Sequence, residues 1–379
     1  MRTILVTGSD GFIGRHLVQA LAARPDIALL TYDVNNQPAE LDRYLDTSDA
    51  VCHLAGVNRP ENEEAFDIGN AQMTEHLVSV LSQRSSKPPV LLSSSTQAAL
   101  DNPYGRSKKK AEEALERYGN AGGSAAIFRL PNVFGKWSRP NYNSAVATFC
   151  HNIARGLGVT ISDPGRVLEL VYVDDVVNAF LAVLDGTAIA GTRRLSAGPV
   201  NRITLADLVE KLRAIHDVRT NLRLPDMTTG FDRQLYATYL SFLPPDGLSY
   251  RLVPREDNRG TLAEFLKGSA FGQVFVSRTR PGIVRGNHYH NTKAEKFFVL
   301  EGEAIIRFRS VIGDTTASYR VRGEDLAVVD IPPGFTHSIE NVGTGELVVL
   351  FWSCEVFDPA APDTHAMNVV EHTKREDAE

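Results

Sequence analysis

The pattern of apolar and polar positions divides the chain into two parts with different periodicities. In the first part, short apolar runs alternate with stretches in which apolar residues recur at helical spacing. The runs lie at residues 2–7, 27–33, 50–56 and 89–95, and the helical stretches include 63–84 and 104–120. Uninterrupted apolar runs are typical of strands buried on both faces of a parallel sheet, with helices as crossovers. This part is predicted to be an α/β, Rossmann-like, doubly wound parallel sheet.

From about residue 245 the helical periodicity fades and short β-like runs replace it. The stretch Pro244-Pro245-Asp246-Gly247 marks the change, because these residue types favour turns and linkers. The β-like runs lie at 272–277, 296–301, 303–309, 318–322, 326–331 and 346–352. This spacing predicts an all-β jelly roll. We therefore predict two domains, residues 1–245 and 246–379.

Composition narrows the classes of function. The 379 residues carry a formal net charge of −6, which gives no basic footprint for nucleic acid. No stretch approaches the ~18 apolar residues of a membrane helix, and no signal-peptide pattern opens the chain. The cysteines, Cys52, Cys150 and Cys354, are odd in number and widely spread, which is typical of a reducing compartment. These features predict a cytoplasmic protein with neither nucleic acid nor a membrane as partner.

A glycine-rich loop lies between the first predicted strand and the first helix. It reads Gly8-Ser-Asp-Gly11-Phe-Ile-Gly14. Gly8 permits a tight turn, Gly11 lets backbone N–H groups approach a pyrophosphate, and Gly14 permits close helix packing. The loop therefore predicts a dinucleotide site. Asp33 ends the second strand, where an acidic residue bonds the ribose 2′-OH and favours NADH, although an ordinary turn aspartate fits nearly as well.

Tyr104 and Lys108 lie four residues apart on a predicted helix and therefore share one face. A lysine ammonium near a phenol lowers the pKa of the phenol. The phenol then donates a proton to a carbonyl while a nicotinamide delivers hydride, and a serine on a neighbouring strand holds the same oxygen. Ser95 is the expected serine, with Ser94 as the alternative. The pair alone is common, and the preceding glycine loop gives it weight.

Together these motifs resemble the extended short-chain dehydrogenase/reductases that act on nucleotide sugars. The matching segments are TGSDGFIG, HLAG (53–56), SSS (93–95), YGRSK (104–108), RLPNVFG (129–135) and YVDD (172–175). Thr96-Gln97 lacks the Asp-Glu pair of the sugar dehydratases, which favours simple reduction. The resemblance implies Ser95, Tyr104 and Lys108 as catalytic residues. It implies as cofactor contacts Gly8, Asp10, Gly11, Phe12, Ile13, Gly14, Asp33, Leu54, Ala55, Tyr104 and Lys108, and as substrate contacts Asn58, Arg59, Asn132 and Asn141.

A metal-type cluster lies in the second part. His288 and His290 alternate on a strand, so both rings face the same side. Glu295 precedes the next strand, and His337 opens a later one. Three imidazoles and a carboxylate suit Zn²⁺, Fe²⁺, Mn²⁺ or Ni²⁺, and the ligand set does not select among them.

The spacing of these ligands resembles the cupin pattern. Gly282 and Gly302 flank its first half, and Pro332-x-Gly334-x-x-His337 forms its second half. Leu326 occupies a position where that pattern usually has glycine. The second domain is therefore expected to be a metal-binding cupin jelly roll.

The combination of the two parts resembles the CapF family of bifunctional capsular polysaccharide enzymes. The matching segments include HLAGVNRPE (53–61), SSSTQAALDNPYGRSK (93–108), FGKWSRPNYNSAVATFC (134–150), GNHYHNTKAEKF (286–297) and VVDIPPGFTHSIEN (328–341). The resemblance implies that the cupin epimerises C3 of a UDP-2-acetamido-2,6-dideoxy-4-hexulose. The reductase domain then reduces C4 to UDP-N-acetyl-6-deoxy-L-talosamine, on the route to UDP-N-acetyl-L-fucosamine for capsule or O-antigen.

The same resemblance implies Zn²⁺, NADPH and a homodimer. Asp33 is in tension with NADPH, because a carboxylate there repels a 2′-phosphate, whereas Asn35 and Asn36 are possible hydrogen-bond donors to it. An alternative function is that of a nucleotide-sugar 4-ketoreductase whose cupin serves only structure or dimerisation. The general base for C3 has no assigned residue.

Overall fold

The computed structural model describes residues 1–60, 62–186, 191–312 and 314–370. The chain divides into two compact units, the first comprising Met1–Leu212 with Gly230–Pro244 and the second Arg213–Thr229 with Pro245–Glu379. The predicted domain boundary near residue 245 stays a prediction. Glu61 of the segment 53–61 and residues 371–379 of the predicted second domain lie outside the described residues.

The first unit alternates strands and helices. In chain order the elements are β1 (Arg2–Thr7), α1 (Phe12–Ala22), β2 (Ile27–Tyr32), α2 (Pro38–Thr47), β3 (Ala50–His53), α3 (Glu64–Phe66), α4 (Met73–Ser82), β4 (Val90–Ser95), α5 (Pro103–Asn120), β5 (Ser124–Leu130), β6 (Asn132–Phe134), α6 (Ala145–Ala154), β7 (Val167–Tyr172), α7 (Val173–Asp185), β8 (Gly191–Leu195), β9 (Asn201–Thr204), α8 (Leu205–Asn221), whose last part belongs to the second unit, and α9 (Gly230–Ser241).

A parallel sheet with strand order β2-β1-β3-β4-β5-β8 forms the centre of this unit. Alternate residues of each strand enter two different cores: Ile4 and Val6 pack on one face, whereas Leu5 packs on the other. Burial on both faces explains the uninterrupted apolar runs, since each such residue contributes about 2 kcal/mol when fully buried. The strand order reverses at β1, which leaves a crevice between the carboxyl ends of β1 and β3.

A π-helical turn interrupts one predicted helix. The stretch 63–84 consists of α3, a π-turn at Asp67–Gln72, and α4. The predicted strand 50–56 also ends early, at His53. Both departures occur where side chains of the candidate site bind the backbone, as described below.

The second unit contains antiparallel strands in two sheets. The strands are β10 (Arg255–Asp257), β11 (Gly260–Gly268), β12 (Gly272–Thr279), β13 (Val284–Tyr289), β14 (Glu295–Glu301), β15 (Glu303–Ser310), β16 (Thr316–Arg322), β17 (Val328–Ile331), β18 (Phe335–Asn341), β19 (Leu347–Ser353) and β20 (His365–Ala366).

The sheets have the orders β10-β11-β12-β19-β14-β17 and β16-β15-β18-β13-β20. Their inner faces enclose one core, to which β15 contributes every second residue, Ala304, Ile306 and Phe308. The predicted fold class, a Rossmann-like sheet followed by a β jelly roll, is confirmed. Among the described residues, no helix combines the length and apolarity required to cross a membrane.

Candidate active site and metal centre

The glycine loop brings β1, α1 and the end of β3 into close approach. Gly8 has a φ of 71°, and a Cβ there would lie 2.5 Å from the main-chain nitrogen of Ala55. A Cβ on Gly14 would lie 2.0 Å from the oxygen of Gly8. Gly11 immediately precedes α1, so no side chain caps the first N–H groups of that helix. These donors are therefore available to an anion such as a pyrophosphate.

The other predicted cofactor residues of this loop lie at the same edge of the sheet. The ring of Phe12 packs edge-on against His16 at a centroid distance of 5.4 Å, and Ile13 packs against the core. The N–H groups of Leu54 and Ala55 donate to the main-chain oxygen and hydroxyl of Thr7, at 3.0 and 3.3 Å. The structure therefore places both groups of predicted cofactor contacts beside the crevice between β1 and β3.

Asp33 directly follows β2 and contacts the glycine loop. Its Oδ2 accepts the N–H of Asp10 and its Oδ1 accepts the N–H of Val34, both at 2.8 Å. The carboxylate is thus held at the edge of the predicted dinucleotide site.

The start of α5 positions the predicted catalytic residues. Asn102 caps the helix by accepting the N–H of Gly105 at 2.7 Å, and Pro103 suits the first helical position. Tyr104 therefore lies in the first turn, with Lys108 one turn later. Ser95 ends β4, its hydroxyl accepts the N–H of Gln97 at 3.1 Å, and it lies close enough to the Tyr104 phenol to lower the pKa of that phenol. The structure brings Ser95 and Tyr104 together as predicted, while their catalytic roles stay predictions.

Burial controls the protonation of this group. Burial raises the pKa of the Tyr104 phenol, whereas the nearby Ser95 hydroxyl lowers it. The net shift is upward, so the expectation that this phenol has a lowered pKa is wrong. Burial also lowers the pKa of Lys108 to about 8, and its Nζ donates to the oxygen of Ser93 at 2.7 Å. A neutral phenol is the form that donates a proton to a carbonyl.

Ser94, the alternative to Ser95, is committed elsewhere. Its hydroxyl donates to Oε1 of Glu112 at 2.5 Å. Glu112 is 1% exposed, and Arg129 donates to both of its carboxylate oxygens, at 2.8 and 2.6 Å. Ser94 is therefore bound to this buried ion pair, whereas Ser95 lies at the end of the strand near Tyr104.

Asn70, on the π-turn, is a site residue that the sequence did not indicate. Its Nδ2 donates to the oxygen of Val57 at 2.8 Å and to Oγ of Ser107 at 3.0 Å, and its Oδ1 accepts the Val57 N–H at 3.0 Å. A Cβ on Gly56 would lie 2.6 Å from this Oδ1 and 3.7 Å from Nζ of Lys108. Asn70 and Lys108 therefore converge on the same glycine. The only signal was a polar residue at an apolar position of the helical pattern.

The predicted substrate residues fall into two groups. Asn58 and Arg59 follow β3; Arg59 is exposed, whereas Oδ1 of Asn58 is buried and has no hydrogen-bond partner among the described residues. Asn132 and Asn141 follow β5. Nδ2 of Asn132 donates to the oxygen of Glu169 at 3.3 Å, and Asn141 adopts a left-handed conformation with a φ of 57°. Their contacts with substrate stay predictions.

The second unit brings the four predicted metal ligands together. One ligand atom from each of His288, His290, Glu295 and His337 lies within 4.8 Å of the others. β13 and β18 pair His288 directly with His337, and a bulge at Asn287, whose φ is 57°, sets this register. Glu295 begins the next strand of the facing sheet.

The donor atoms fit a divalent metal. Nε2 of His290 and of His337 are buried without hydrogen-bond partners among the described residues, and they lie 3.3 and 3.6 Å from Oε2 of Glu295. Nδ1 of each ring hydrogen-bonds a main-chain oxygen, that of Asp363 for His290 and that of Phe335 for His337. Because a carbonyl only accepts, the proton lies on Nδ1 and the Nε2 lone pair faces the cluster.

The three imidazoles of the cluster differ in pKa, and therefore in how readily each is neutral and able to bind a metal. Burial lowers the pKa of His288, and lowers the pKa of His337 to about 4, so both rings are neutral at neutral pH. Burial alone would also lower the pKa of His290, but the nearby carboxylate of Glu295 outweighs this effect and raises that pKa. Neutral imidazoles and an ionised carboxylate are the forms that bind metal.

The segment that includes β20 supports the cluster from outside. The carboxylate of Asp363 accepts the N–H groups of Asn291, Thr292 and Lys293 at 2.8, 2.8 and 2.9 Å. Burial opposes ionisation of Asp363, but these hydrogen bonds hold its pKa well below the usual range. β20 pairs with β13, and the ring of His365 stacks on Tyr289 at 5.0 Å. Asp363 thereby fixes the loop between two metal ligands.

These two sites define a class: a short-chain dehydrogenase/reductase-type unit joined to a jelly roll with a metal-type cluster. The profile of the NAD dependent epimerase/dehydratase family matches residues 4–195, and that of the Polysaccharide biosynthesis C-terminal domain matches residues 255–365. The UDP-2-acetamido-2,6-beta-L-arabino-hexul-4-ose reductase of Pseudomonas aeruginosa is 44% identical over 371 residues, covering 97% of this chain and 99% of that protein.

Comparison with solved structures leads to the same class of protein. The capsular polysaccharide assembling protein CapF from Staphylococcus aureus superposes with a TM-score of 0.88 at 41% identity, covering 97% of this chain and 100% of that chain. A UDP-glucuronic acid 4-epimerase from Bacillus cereus covers 63% of this chain and 98% of its own, with a TM-score of 0.55 at 18% identity, which shows the fold alone. The chain belongs to the NAD-dependent epimerase/dehydratase family and, within it, to the CapF group. The predicted family is confirmed.

Proposed function

We propose that the chain is a bifunctional nucleotide-sugar enzyme of capsule or O-antigen synthesis. The second unit epimerises C3 of a UDP-2-acetamido-2,6-dideoxy-4-hexulose, and the first unit reduces the C4 ketone. The product is UDP-N-acetyl-6-deoxy-L-talosamine, on the route to UDP-N-acetyl-L-fucosamine. The approach of Ser95, at the end of β4, to Tyr104 on α5, with Lys108 one turn further along the same helix, is the observation that carries the reductase function. The 44% identity to a UDP-ketosugar reductase supports the substrate class.

The first unit supplies the proton for reduction. A bound reduced nicotinamide supplies hydride to the carbonyl carbon. The neutral phenol of Tyr104 donates its proton to the carbonyl oxygen, which becomes the new hydroxyl, and Ser95 holds that oxygen during the transfer. The resulting tyrosinate is stabilised by the positive charge of Lys108.

The second unit accounts for C3 chemistry. The adjacent ketone acidifies C3–H, so removal of this proton and its return on the other face invert the centre. His288, His290, His337 and Glu295 would hold a divalent metal, for which we propose zinc because the family resemblance implies it and the donors fit it. A metal so held supplies Lewis-acid polarisation of the carbonyl. The base that moves the C3 proton has no assigned residue.

The two reactions complement each other. Epimerisation alone reaches only an equilibrium mixture of C3 epimers. Reduction of the C4 ketone removes the acidity of C3–H and fixes the configuration. One chain that carries both sites therefore converts a reversible inversion into a committed product.

We propose a homodimer in which a second copy covers the outer face of the six-stranded sheet. Val276, Leu350, Phe298 and Val328 are paired in register across four strands of this face. Val328 is 54% exposed, and such an apolar row is typical of an interface. Leu350→Lys should yield monomers by analytical ultracentrifugation, and a wild-type monomer would contradict the assignment.

The deciding experiment follows C3 by NMR in D₂O, with the UDP-linked 6-deoxy-4-hexulose and no nicotinamide. Zinc-loaded wild type should incorporate deuterium at C3 of the sugar, and the His290→Ala variant should not. The His76→Gln variant, which alters a histidine outside the cluster, should incorporate deuterium at the wild-type rate. Tyr104→Phe should also exchange normally. Absence of exchange in zinc-loaded wild type would overturn the epimerase and leave a 4-ketoreductase whose jelly roll serves structure or dimerisation.

A further inference from the structure

We infer that this reductase is built for NADH rather than NADPH, and that Asp33 determines the preference. The inference rests on the proposed function and departs from the NADPH that the family resemblance implies. It concerns the region that the adenosine ribose of a dinucleotide occupies in this fold, at the end of β2 beside the glycine loop.

The carboxylate of Asp33 is fixed in the orientation needed to accept from a ribose diol. Oδ2 accepts the N–H of Asp10 and Oδ1 the N–H of Val34, both at 2.8 Å. The Gly8 N–H donates to the oxygen of Tyr32 at 2.8 Å, which ties the end of β2 to the loop. Each carboxylate oxygen still has acceptor capacity, which suits the 2′- and 3′-hydroxyls of NADH.

The turn after Asp33 offers a 2′-phosphate the neutral amide donors of Asn35 and Asn36 and no charged side chain. Oδ1 of Asn36 accepts the N–H of Asp33 at 2.8 Å, and its Nδ2 donates to Oε2 of Glu40 at 3.2 Å. One N–H of the Asn36 amide is thereby used within the turn, and the expectation that Asn35 or Asn36 donates to a 2′-phosphate stays a prediction. Hydrogen bonds from Asn36 and Gln37 lower the pKa of Glu40, so a second carboxylate carries its charge here.

The local sequence provides no compensating cation. Residues 33–38 read DVNNQP, without lysine or arginine. Arg43, the next basic residue along the chain, lies 3.6 Å from Glu40 and over the ring of Tyr44 at 5.2 Å. A 2′-phosphate would bring nearly two further negative charges beside Asp33. Like-charge contacts of this kind suppress the wrong ligand.

The test is a fluorescence titration of the full chain with NADH and with NADPH, without any sugar. NADPH should bind at least about tenfold more weakly than NADH. Asp33→Asn should bring the two dissociation constants within about threefold. Val34 is 89% exposed, so Val34→Arg removes no packing and should by itself improve NADPH binding. Asp46→Asn, which removes an exposed charge from α2, should leave the ratio unchanged.

Equal affinities in the wild type would overturn the inference, as would an unchanged ratio in both Asp33→Asn and Val34→Arg. Either result would leave the proposed reductase intact, since a dinucleotide still binds. Failure of both dinucleotides to bind the folded wild type would overturn the reductase function as well. The titration contains no substrate, so an unsuitable sugar cannot mimic any of these outcomes.

Discussion

The ammonium group of Lys108 donates a 2.7 Å hydrogen bond to the main-chain oxygen of Ser93, and the lysine is only 5% exposed. Burial lowers its pKa from 10.5 to about 8, which corresponds to roughly 3 kcal/mol against the charged form. Burying this charge lowers the stability of the folded chain, so its presence is explained by a function in the site. The position of Lys108 is therefore functional evidence as well as geometry.

Lys108→Met should stabilise the protein without ligands. At pH 7 we expect the free energy of unfolding to rise by about 1–3 kcal/mol, because the buried charge is removed. Between about pH 8 and the unfolded value of 10.5, the unfolded wild type binds more protons, so wild-type stability rises with pH. The advantage of the variant should therefore shrink over that window, as measured by urea unfolding at pH 7 and pH 10.

Lys110→Met is the matched control on the same helix. Lys110 is exposed and pairs with Asp67, so its replacement should change stability by no more than about 0.5 kcal/mol at either pH. A Lys108→Met variant that is less stable than wild type at pH 7 would contradict the assigned cost of this burial.

Tyr104→Phe should slow reduction by about 10²- to 10⁴-fold, because the proton donor to the carbonyl oxygen is lost. The ring itself remains, and with it the contact with Phe66 at 5.7 Å, so dinucleotide affinity should stay within about twofold. Single-turnover oxidation of the nicotinamide measures the first quantity, and equilibrium titration the second.

Tyr118→Phe removes the same hydroxyl from the far end of α5. The Tyr118 hydroxyl donates to the oxygen of Pro88 at 2.8 Å, so this variant should lose stability while keeping its rate of reduction. Equal rates for the two variants would exclude Tyr104 as the proton donor.

Asp363→Asn should weaken metal binding by about 10- to 100-fold. The amide offers one acceptor oxygen where the carboxylate now receives three N–H groups, so the loop that holds His290 loses support. Competition with a chromophoric chelator measures the affinity. Asp358→Asn, whose carboxylate accepts only the nearby Ala360 N–H at 2.9 Å, serves as the control. Equal affinities would show that Asp363 does not position the cluster.

Leu326→Gly should stabilise the second unit. Leu326 has a φ of 49°, and it stands where the family pattern usually has glycine. Left-handed backbone costs a non-glycine residue about 1–2 kcal/mol, and at 74% exposure little packing is lost. After the greater entropy of an unfolded glycine is deducted, we expect a gain of about 0.5–1 kcal/mol in urea unfolding.

Leu300→Gly is the comparison, since Leu300 is 46% exposed and lies in β14, where glycine weakens a strand. It should destabilise the protein. A loss of stability in both variants would show that the conformation of Leu326 carries no strain.

Local pattern explains what the sequence predicted well. Ile4 and Leu5 enter opposite cores, and this double burial produces the apolar run that identified β1. The metal ligands belong to two short segments of sequence, so His288 and His290 were identifiable before any contact was known, although His290 lies one residue beyond the end of β13 at Tyr289.

Long-range pairing explains what the sequence did not predict. Asn70 reaches the site because its amide binds Val57, thirteen residues earlier, and the helix accommodates this through a π-turn that has no apolar period of its own. The bond between one N–H of Asn36 and Glu40 was not predictable for the same reason, since it forms only once α2 has formed.

Three consecutive serines in β4 have three different attachments. Ser93 offers its main-chain oxygen to Lys108, Ser94 donates its hydroxyl to Glu112, and the Ser95 hydroxyl accepts the N–H of Gln97. A one-residue deletion that still left two serines in a row would turn every later side chain of the strand to the opposite face. Because Glu112 and Tyr104 both lie on α5, the shift would change which serine lies beside each of them. A serine at one of these positions in a related chain is therefore evidence for the same contact only when the alignment of the strand contains no insertion or deletion.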